Sequence, residues 1–424
     1  MESGYGRTIL MVAYHIPPFT GSSGVQRTVK FCRYLREHDW RPVVLTVTPR
    51  AYVTSSDRDS TELPDDVPVY RSFCVDTARH LSLVGRYPEL LALPDRWASW
   101  WPSGVLHGLR IIRKWQPDVV WSTYPVATAH LIAGTLSRMH GLPWVADFRD
   151  WMTEGDYPAG RLQRWAYRRV EHFVLKNATA ATFTTESCRT FYKDRYPALA
   201  GGSWAVLPNG YDESDFAGLG VPASRPVRDG ITLLHSGYLY PQDRSPAGLF
   251  EAIAALRQRG FLEGRKFRVR FRGPGDGAHV QREAARFGVA DFVQVAPSVS
   301  HRAALREMLD ATALLLMQGP RFDRQVPAKA YEYLRSGRPV LTLASQRSES
   351  AGLMAEYGSP YIAGIDRSTD IAASLERLIV DIEADQPIAA HRARISRFDR
   401  RLQTGVLAEL LNGVAESDTL FAQT

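Results

Sequence analysis

The sequence predicts an α/β fold of two domains, each built on a parallel sheet. With 424 residues, the chain is longer than one hydrophobic core usually supports. Short apolar runs alternate with helical patterns in both halves, as strand–helix–strand units require. Because polar and apolar residues hardly alternate within these runs, the strands are expected to be buried on both faces, which is typical of parallel sheets.

The first half carries the strand signals of one complete domain. Strands are predicted over residues 8–14, 42–48, 118–122, 144–148, 180–184 and 203–207, with a helix over 127–140. Between 212 and 230 the regular pattern stops, because Gly218, Gly220, Pro222, Pro226 and Gly230 interrupt it. We therefore expect a first domain over residues 1–212 and a linker over 213–230.

The strand–helix rhythm restarts after the linker and predicts a second domain over residues 231–395. Its strands are expected over 231–235, 267–272, 292–295, 313–317 and 339–343. Residues 396–424 are expected to form a C-terminal helix with one apolar stripe, made of Leu402, Val406, Leu410 and Val414. That helix could pack back on the first domain.

Composition narrows the function classes. The net charge of +7 suits a nucleic acid, an anionic membrane leaflet or a phosphorylated small molecule, but an arginine-rich composition alone could also explain it. No basic run with interleaved aromatic residues is typical of a nucleic-acid-binding module, so nucleic acid is not an expected partner. The three cysteines lie far apart, which favours a reducing, cytoplasmic compartment and argues against a zinc site or disulfides.

Metal and membrane signals are weak. Asp57-Arg58-Asp59 lies in a polar stretch with no adjacent strand and is interpreted as solvated surface, so no metal site is predicted. No segment reaches the length of apolar sequence that a transmembrane helix needs. Residues 97–102, followed by the basic residues around 110–115, could dock on anionic lipid or could simply pack inside the first domain.

The first candidate motif is the loop over 17–27, which follows the first strand. Gly21, Ser23 and Gly24 would let the backbone approach a ligand, and the helix that follows presents free N–H groups to an anion. The loop is not a G-x-G-x-x-G motif, and no acidic residue sits at the ribose-reading offset, so dinucleotide binding is not supported. A plain connector is the alternative.

The second motif is a cluster of charged residues, Asp147, Arg149 and Asp150, at the carboxyl end of an apolar strand. Open α/β sheets place ligands at this end of their strands. Asp147 and Arg149 share one face of the strand end, and a solvated loop with an Asp–Arg pair is the alternative. Asn209, in an Asn-Gly turn before the domain boundary, is a weak signal by itself.

Two further motifs lie in the second half. Gly237 follows a strand, and Arg244 in the next loop could reach a phosphate, which the planar guanidinium fits. Lys329 and Glu332 are three residues apart and therefore share a helix face. Lys329 could neutralise phosphate charge and Glu332 could accept hydrogen bonds from ribose hydroxyls, whereas an ordinary i,i+3 ion pair is the alternative.

Taken in order, the blocks over 14–27, 144–150, 208–212 and 327–341 resemble those of retaining GT-B glycosyltransferases of the family 4-like group, which assemble bacterial glycans and polysaccharides. The resemblance covers nearly the whole chain, and the K-x-Y-E-Y…S-G-R-P-V block is its most specific part. It implies two Rossmann-like domains facing each other across a cleft.

The resemblance also implies roles for the candidate residues. A nucleoside-diphosphate sugar is the expected donor and no cofactor is expected. Arg244 and Lys329 would hold the diphosphate, Glu332 the ribose, and the Gly21–Gly24 loop would close over the phosphates. Asp147, Arg149 and Asp150 would face the reacting sugar or acceptor. The acceptor would be a glycan, a polysaccharide or a lipid-linked molecule at the inner face of the cell membrane.

One residue departs from the family pattern. Many members carry two glutamates with seven residues between them, and Arg324 stands where the first is expected, with Glu332 in the second position. A sugar-hydroxyl contact is therefore missing or is made by Asp323 or Gln325. This departure keeps open a non-catalytic nucleotide-sugar-binding protein or an altered reaction. A nucleotide-sugar epimerase, which shares the two-lobed architecture, is a separate alternative.

Overall fold

The computed structural model describes residues 5–19, 24–55, 63–83, 86–155, 157–220, 230–240, 243–385 and 392–421. Tertiary contacts divide the chain into two compact units. The first unit contains the chain up to Pro208 and again from Arg400 onward, and the second runs from Asn209 to Asp399. Asp57 and Asp59, interpreted above as solvated surface, lie outside the described residues.

The first unit contains a seven-stranded parallel sheet in the order β3-β2-β1-β4-β5-β6-β7. Its strands are β1 (Arg7–Val12), β2 (Trp40–Val47), β3 (Val69–Ser72), β4 (Val119–Thr123), β5 (Trp144–Asp147), β6 (Ala180–Phe183) and β7 (Ser203–Val206). The strand order reverses between β1 and β4, which is where doubly wound sheets bind their ligands.

The helices of the first unit connect these parallel strands. In chain order they are α1 (Gly24–Tyr34), α2 (Thr77–His80), α3 (Trp100–Trp115), α4 (Ala127–His140), α5 (Arg161–Asn177) and α6 (Glu186–Arg195). Ile9, Met11, Val44, Val119 and Trp121 form part of a buried apolar cluster between the sheet and α1. Burial on both faces explains why these strands read as continuous apolar runs.

The second unit repeats the same topology with six parallel strands in the order β10-β9-β8-β11-β12-β13. They are β8 (Ile231–Ser236), β9 (Phe267–Arg272), β10 (Val293–Ala296), β11 (Ala313–Met317), β12 (Val340–Leu343) and β13 (Ile362–Ala363). Its helices are α7 (Glu213–Phe216), α8 (Ala247–Gln258), α9 (Gly277–Arg286), α10 (His301–Asp310), α11 (Ala328–Ser336), α12 (Glu349–Glu356), α13 (Ser368–Glu383) and α14 (Arg392–Ile395).

Two apolar cores flank the second sheet. Along β11, Ala313, Leu315 and Met317 belong to one core, whereas Leu314 and Leu316 belong to the other. Alternate side chains of a strand point to opposite faces, so both faces of this sheet are covered. This two-sided burial confirms the α/β fold class predicted from the sequence.

The last helix, α15 (Arg400–Phe421), belongs to the first unit. Leu407, Ala408, Leu411 and Val414 are buried in the same cluster as α1. The predicted apolar stripe is wrong in part, because Leu402 is 57% and Val406 is 53% exposed. Both stripes have helical spacing, so the contacts with α1, rather than the periodicity, decide which one is buried.

The predicted strands are present, and the sequence missed two. β3 is only half-buried, with one fully buried residue, and β13 has two residues, so neither produces a clear apolar run. Among the described residues, no helix combines the length and apolar character that crossing a membrane would need.

Candidate functional site

The carboxyl end of β5 is organised by a buried ion pair between Arg27 and Asp147. Arg27 Nε donates to Asp147 Oδ2 at 3.0 Å and Nη2 donates to Oδ1 at 2.8 Å. The hydroxyls of Thr123 and Thr182 donate to the same carboxylate at 2.9 and 2.8 Å. Burial by itself would raise the pKa of Asp147, but the adjacent Arg27 guanidinium holds that pKa below its ordinary value.

Arg27 also ties this cluster to the end of the first unit. Its Nη1 donates to the carbonyl of Pro208 at 2.9 Å and its Nη2 to the carbonyl of Leu207 at 3.0 Å. Both oxygens of Asp147 are therefore engaged inside the protein, and its side chain is fully buried. This geometry suits a carboxylate that positions Arg27, and contact between Asp147 and a sugar remains a prediction.

Arg149 lies two residues further along, in a left-handed backbone conformation with φ of 51°. Its Nη1 donates to the carbonyl of Tyr124 at 3.1 Å, and its buried Nε finds no hydrogen-bond partner among the described residues. The guanidinium lies against Gly24, the first residue of α1, where a Cβ would collide with Nη1 and come within 2.8 Å of His15 Nδ1. Gly24 therefore makes room for this arginine.

Two further titratable groups, His15 and Asp150, lie beside Arg149. Burial, followed by the charge of Arg149, lowers the pKa of His15 to about 3, so the imidazole is neutral and leaves Arg149 as the cation beside α1. Burial raises the pKa of the Asp150 carboxyl, although Arg149 opposes the effect. Arg149, Asp150 and Gly24 are thus neighbours, while Gly21 and Ser23 of the predicted loop lie outside the described residues.

In the second unit, Lys329 is the central residue. It lies in the first turn of α11, and its buried Nζ has no hydrogen-bond partner among the described residues. A Cβ on Gly237, which has φ of 110°, would come within 2.9 Å of that Nζ. Burial, then the charge of Arg244, lowers the pKa of Lys329 to about 7, against the opposing effect of Glu332.

Arg244 supplies a second buried cation beside Lys329. Its guanidinium lies over the rings of Tyr240 and Phe322, at 5.3 and 5.5 Å from the ring centroids. Nη2 donates to Gln318 Oε1 at 3.4 Å, and the buried Nε has no partner among the described residues. Two neighbouring cations with unused donors suit an anion, and contact between a diphosphate and these two residues stays a prediction.

Glu332 lies one turn along α11 and is already hydrogen-bonded to a histidine. Its Oε1 and the His301 Nε2 are 3.0 Å apart, and His301 Nδ1 lies 4.0 Å from Asp215 Oδ2. The i,i+3 spacing also allowed an ion pair between Glu332 and Lys329, but in the structure Glu332 pairs with His301. Sequence reasoning missed His301, which begins α10 directly after the N-cap residue Ser300.

The loop before α11 is held by two amide side chains. Gln318 Nε2 donates to the carbonyls of Phe322 and Gln325 at 3.0 and 2.9 Å. Asn209 Nδ2 donates to the carbonyl of Val326 at 3.2 Å, so it supports this loop. Gln318 directly follows β11, and a polar residue at that position is the signal that could have identified it. Residues Arg27 and Gln318 are both absent from the predicted site.

The C-terminal end of α11 explains part of the most specific sequence block. Gly337 has φ of 70°, and its N–H bonds back to the carbonyl of Leu334, which ends the helix. The chain then enters β12 at Val340. The S-G-R-P-V run therefore ends α11, the helix that carries Lys329 and Glu332, and begins β12.

Residues 23–210 match a family model described as a glycosyl transferase 4-like domain. The first unit contains a glycosyl transferase 4-like domain. The two parallel-sheet units have the GT-B fold. No curated protein matches the sequence.

Several solved structures have the same fold. Trehalose 6-phosphate synthase from Burkholderia multivorans has a TM-score of 0.70 at 14% identity, covering 99% of each chain. Sucrose-phosphate synthase from Thermosynechococcus elongatus has a TM-score of 0.68 at 14% identity, covering 99% of this chain and 100% of that chain. Anabaena HepE in complex with UDP-glucose has a TM-score of 0.64 at 15% identity, covering 96% and 100%.

Proposed function

We propose that the protein transfers a sugar from a nucleoside-diphosphate sugar to a glycan, polysaccharide or lipid-linked acceptor, with retention of configuration. The observation that carries this proposal is the pair of buried cations, Lys329 and Arg244, whose Nζ and Nε have no partner among the described residues. The complex of HepE with UDP-glucose supports a donor of this class. Glu332 would accept hydrogen bonds from the ribose by exchanging its His301 partner.

The charges suit the chemistry of the departing group. A leaving nucleoside diphosphate gains negative charge in an oxocarbenium-like transition state, and fixed cations stabilise that charge without reorganising. Two aromatic rings hold Arg244 in place, and the ammonium group of Lys329 is buried. We propose that they supply this stabilisation without a metal ion and without a cofactor.

The first unit would contribute the residues that face the sugar or the acceptor. Arg149 is the best placed of the three predicted catalytic residues, because its Nε is unused and it lies beside the first turn of α1. Asp150 would be its neighbouring carboxyl, and Asp147 would position Arg27. We nominate no enzyme nucleophile, so attack on the face from which the diphosphate departs would give retention.

We place the reaction in the cytoplasm, at or near a membrane. The three cysteines are free and buried, as expected in a reducing compartment. The predicted docking stretch is internal in part, because Trp100 is buried and donates to Ser72 Oγ at 2.8 Å, and Trp97 packs against Tyr14. Of this stretch, Trp101 is the residue with a largely exposed ring.

A thermal-shift panel with UDP, GDP, dTDP and CMP tests the donor site and identifies its base. Calorimetry with the responding nucleotide then compares Lys329→Ala and Arg244→Ala with Arg306→Ala, an exposed arginine of the same unit. The two site variants should weaken binding by about 1.5–3 kcal/mol each, while Arg306→Ala should bind normally. Unchanged affinity in both site variants would refute the phosphate site.

Incubation with labelled nucleotide sugars separates the remaining alternatives. Transfer or slow hydrolysis supports the transferase, ring isomerisation indicates an epimerase, and binding without turnover indicates a non-catalytic protein. A putative UDP-N-acetylglucosamine 2-epimerase from Listeria monocytogenes has the same fold at a TM-score of 0.57 and 12% identity, which makes the epimerase assay necessary. Turnover should survive a chelator, and strict dependence on a divalent ion would refute the metal-free proposal.

A further inference from the structure

An apolar groove crosses the surface of the first unit between α3, α4 and α5. It encloses about 750 Å³, and nine of the twelve residues that line it are apolar. Trp101, Met139 and Trp165 line it and remain 42%, 57% and 56% exposed. Contiguous exposed apolar surface of this kind usually marks a binding site, because single soluble chains rarely leave it uncovered. We call it the α3–α5 groove.

Further exposed apolar side chains lie close in sequence to the residues that line the groove. Leu90 and Leu91 precede the lining residues Leu93 and Pro94 by a few positions, and both are largely exposed. On α5, Leu162 is exposed three residues before Trp165 and therefore lies on the same helix face.

The charges at the groove are all of one sign. Arg138 and Arg169 line it, and none of the twelve lining residues is acidic. Arg169 lies over the ring of Trp165, at 5.4 Å from the centroid. The acidic residue of α5, Glu171, is fully buried and is engaged by Thr153 and Tyr192, so it does not neutralise the rim.

The exposed side of helix α5 combines residue types that favour a membrane surface. It carries basic residues, with an exposed tryptophan among them. Lysine and arginine are attracted to anionic head groups, and tryptophan favours the head-group region. An apolar groove with a cationic rim complements a molecule that has a hydrocarbon chain and an anionic head group.

We propose that the α3–α5 groove takes the hydrocarbon chain of an anionic lipid of a membrane leaflet, with Arg138 and Arg169 at the lipid head group. This inference rests on the proposed membrane-proximal function and names the surface that makes the contact. A second copy of the chain is a poorer occupant, because a two-fold contact through this patch would bring its cationic rim against itself.

Vesicle flotation of the full chain tests the inference. Wild type should float with vesicles of phosphatidylcholine and phosphatidylglycerol, and should remain in the bottom fraction when the vesicles contain phosphatidylcholine alone. Trp165→Glu and the double variant Arg138→Gln/Arg169→Gln should each lower the partition coefficient about tenfold or more. Val406→Glu, which places the same charge on the exposed side of α15, is the matched control and should float like wild type.

Quenching by lipids brominated on the acyl chain gives an independent readout of the groove. The chain has ten tryptophans, so Trp165→Phe is needed to identify the contribution of one ring. This variant keeps an apolar side chain and should still float, but it should lose a defined fraction of the quenching. Equal flotation and equal quenching in Trp165→Glu and wild type would overturn the inference.

Failure of the groove inference can be distinguished from failure of the proposed donor site. Thermal shifts by the responding nucleotide are measured without vesicles and should be the same in wild type, Trp165→Glu and Val406→Glu. If nucleotide binding is retained and no anionic vesicle is bound, the groove inference alone fails. A wild-type dimer in sedimentation that Trp165→Glu makes monomeric, with no vesicle binding, would assign the groove to self-association and overturn the lipid.

Discussion

Lys329 carries its ammonium group in surroundings that disfavour its charge. Burial and the nearby Arg244 lower the pKa of Lys329 to about 7, while Glu332 only partly offsets them. Its Nζ has no hydrogen-bond partner among the described residues. A bound diphosphate would supply both the missing partner and the missing negative charge, so the pKa of Lys329 must rise when the donor binds.

That rise predicts how donor affinity depends on pH. Below pH 7 Lys329 is already protonated, whereas above pH 7 binding must take up a proton. Affinity for the nucleotide sugar should therefore be level below pH 7 and fall by up to about tenfold per pH unit above it. Calorimetry in two buffers of different ionisation enthalpy measures this proton uptake.

Lys329→Arg is the matched variant for this prediction, because its guanidinium stays protonated across the range. Its affinity should be level with pH, whatever its absolute value. An unchanged slope in this variant would assign the titration to another group.

The Arg27–Asp147 pair makes a separate prediction about stability. Arg27→Leu would leave a fully buried carboxylate with only the Thr123 and Thr182 hydroxyls, and should lower the free energy of unfolding by about 3–5 kcal/mol. Asp147→Asn added to Arg27→Leu removes the unpaired charge and should recover part of the loss. Urea denaturation measures both, and Arg50→Leu, at an exposed position, should stay within about 0.5 kcal/mol of wild type.

The same pair has a defined pH dependence. The pKa of Asp147 is lowered in the folded protein, so its contribution to stability is present above the ordinary aspartate pKa and is lost as the pH falls through the folded value. Arg27→Leu should therefore lose less stability than wild type between neutral and acid pH. An equal loss in both proteins would contradict this role for the pair.

Single residues also show what the sequence could and could not predict about the site. Lys329 and Glu332 share a helix face by spacing alone, and Arg149 and Asp150 follow a strand end. The sequence was therefore enough to predict that the members of each pair lie close together. The partner of Glu332 was not, because His301 comes from a different helix about thirty positions away. Nor was the role of Arg27, whose contacts come from β5 and from Leu207 and Pro208.

At the scale of elements, glycines in two helices of the first unit have opposite surroundings. A Cβ on Gly413 in α15 would meet no atom of the described residues within 4 Å, whereas one on Gly134 in α4 would lie 2.5 Å from Phe173 and 2.7 Å from Trp144. Gly413→Ala should therefore raise the free energy of unfolding by about 0.5–1 kcal/mol.

Gly134→Ala is the opposite case, because the gain in helix propensity is outweighed by overpacking of about 1–3 kcal/mol. Thermal or urea unfolding of the two variants checks the difference in sign. Stabilisation by both substitutions would mean that the helix packing around Trp144 is looser than the structure has it.

Elements differ in how far their sequence determines them. Strands buried on both faces, such as β1 and β11, give apolar runs that need no tertiary information to be recognised. The buried side of α15 cannot be recognised without tertiary information, since Leu402 and Val406 have the same periodicity as Leu407 and Leu411 but face away from α1. Periodicity predicts that a helix is amphipathic, and the neighbouring element selects the face when two stripes compete.

At the scale of the whole molecule, the first unit is built from two separate pieces of chain. Leu407 and Leu411 of α15 share a core with Val29 and Cys32 of α1. Arg7 Nη1 and Trp40 Nε1 both donate to Asn412 Oδ1, at 2.8 and 3.1 Å. The sheet of this unit is therefore complete by residue 208, but its core is complete only when the chain returns at Arg400.

This division predicts how fragments of the chain should fold. Residues 1–208 alone would expose the α1 surface that α15 covers, and the loss of two buried leucines alone costs about 4 kcal/mol or more. The chain leaves and re-enters the second unit at neighbouring points, because the N–H of Tyr211 donates to the carbonyl of Phe398 at 3.2 Å. A short Gly-Ser linker should therefore join residue 208 to residue 400 without strain.

The fused fragment should unfold cooperatively in urea, whereas residues 1–208 alone should unfold at a much lower midpoint or without a sharp transition. Leu411→Ala in the fused fragment should lower its stability by about 2–5 kcal/mol, and Leu402→Ala, on the exposed side of the same helix, should have little effect. Equal urea midpoints for residues 1–208 with and without α15 would show that the last helix packs on the first unit without contributing to the stability of its core.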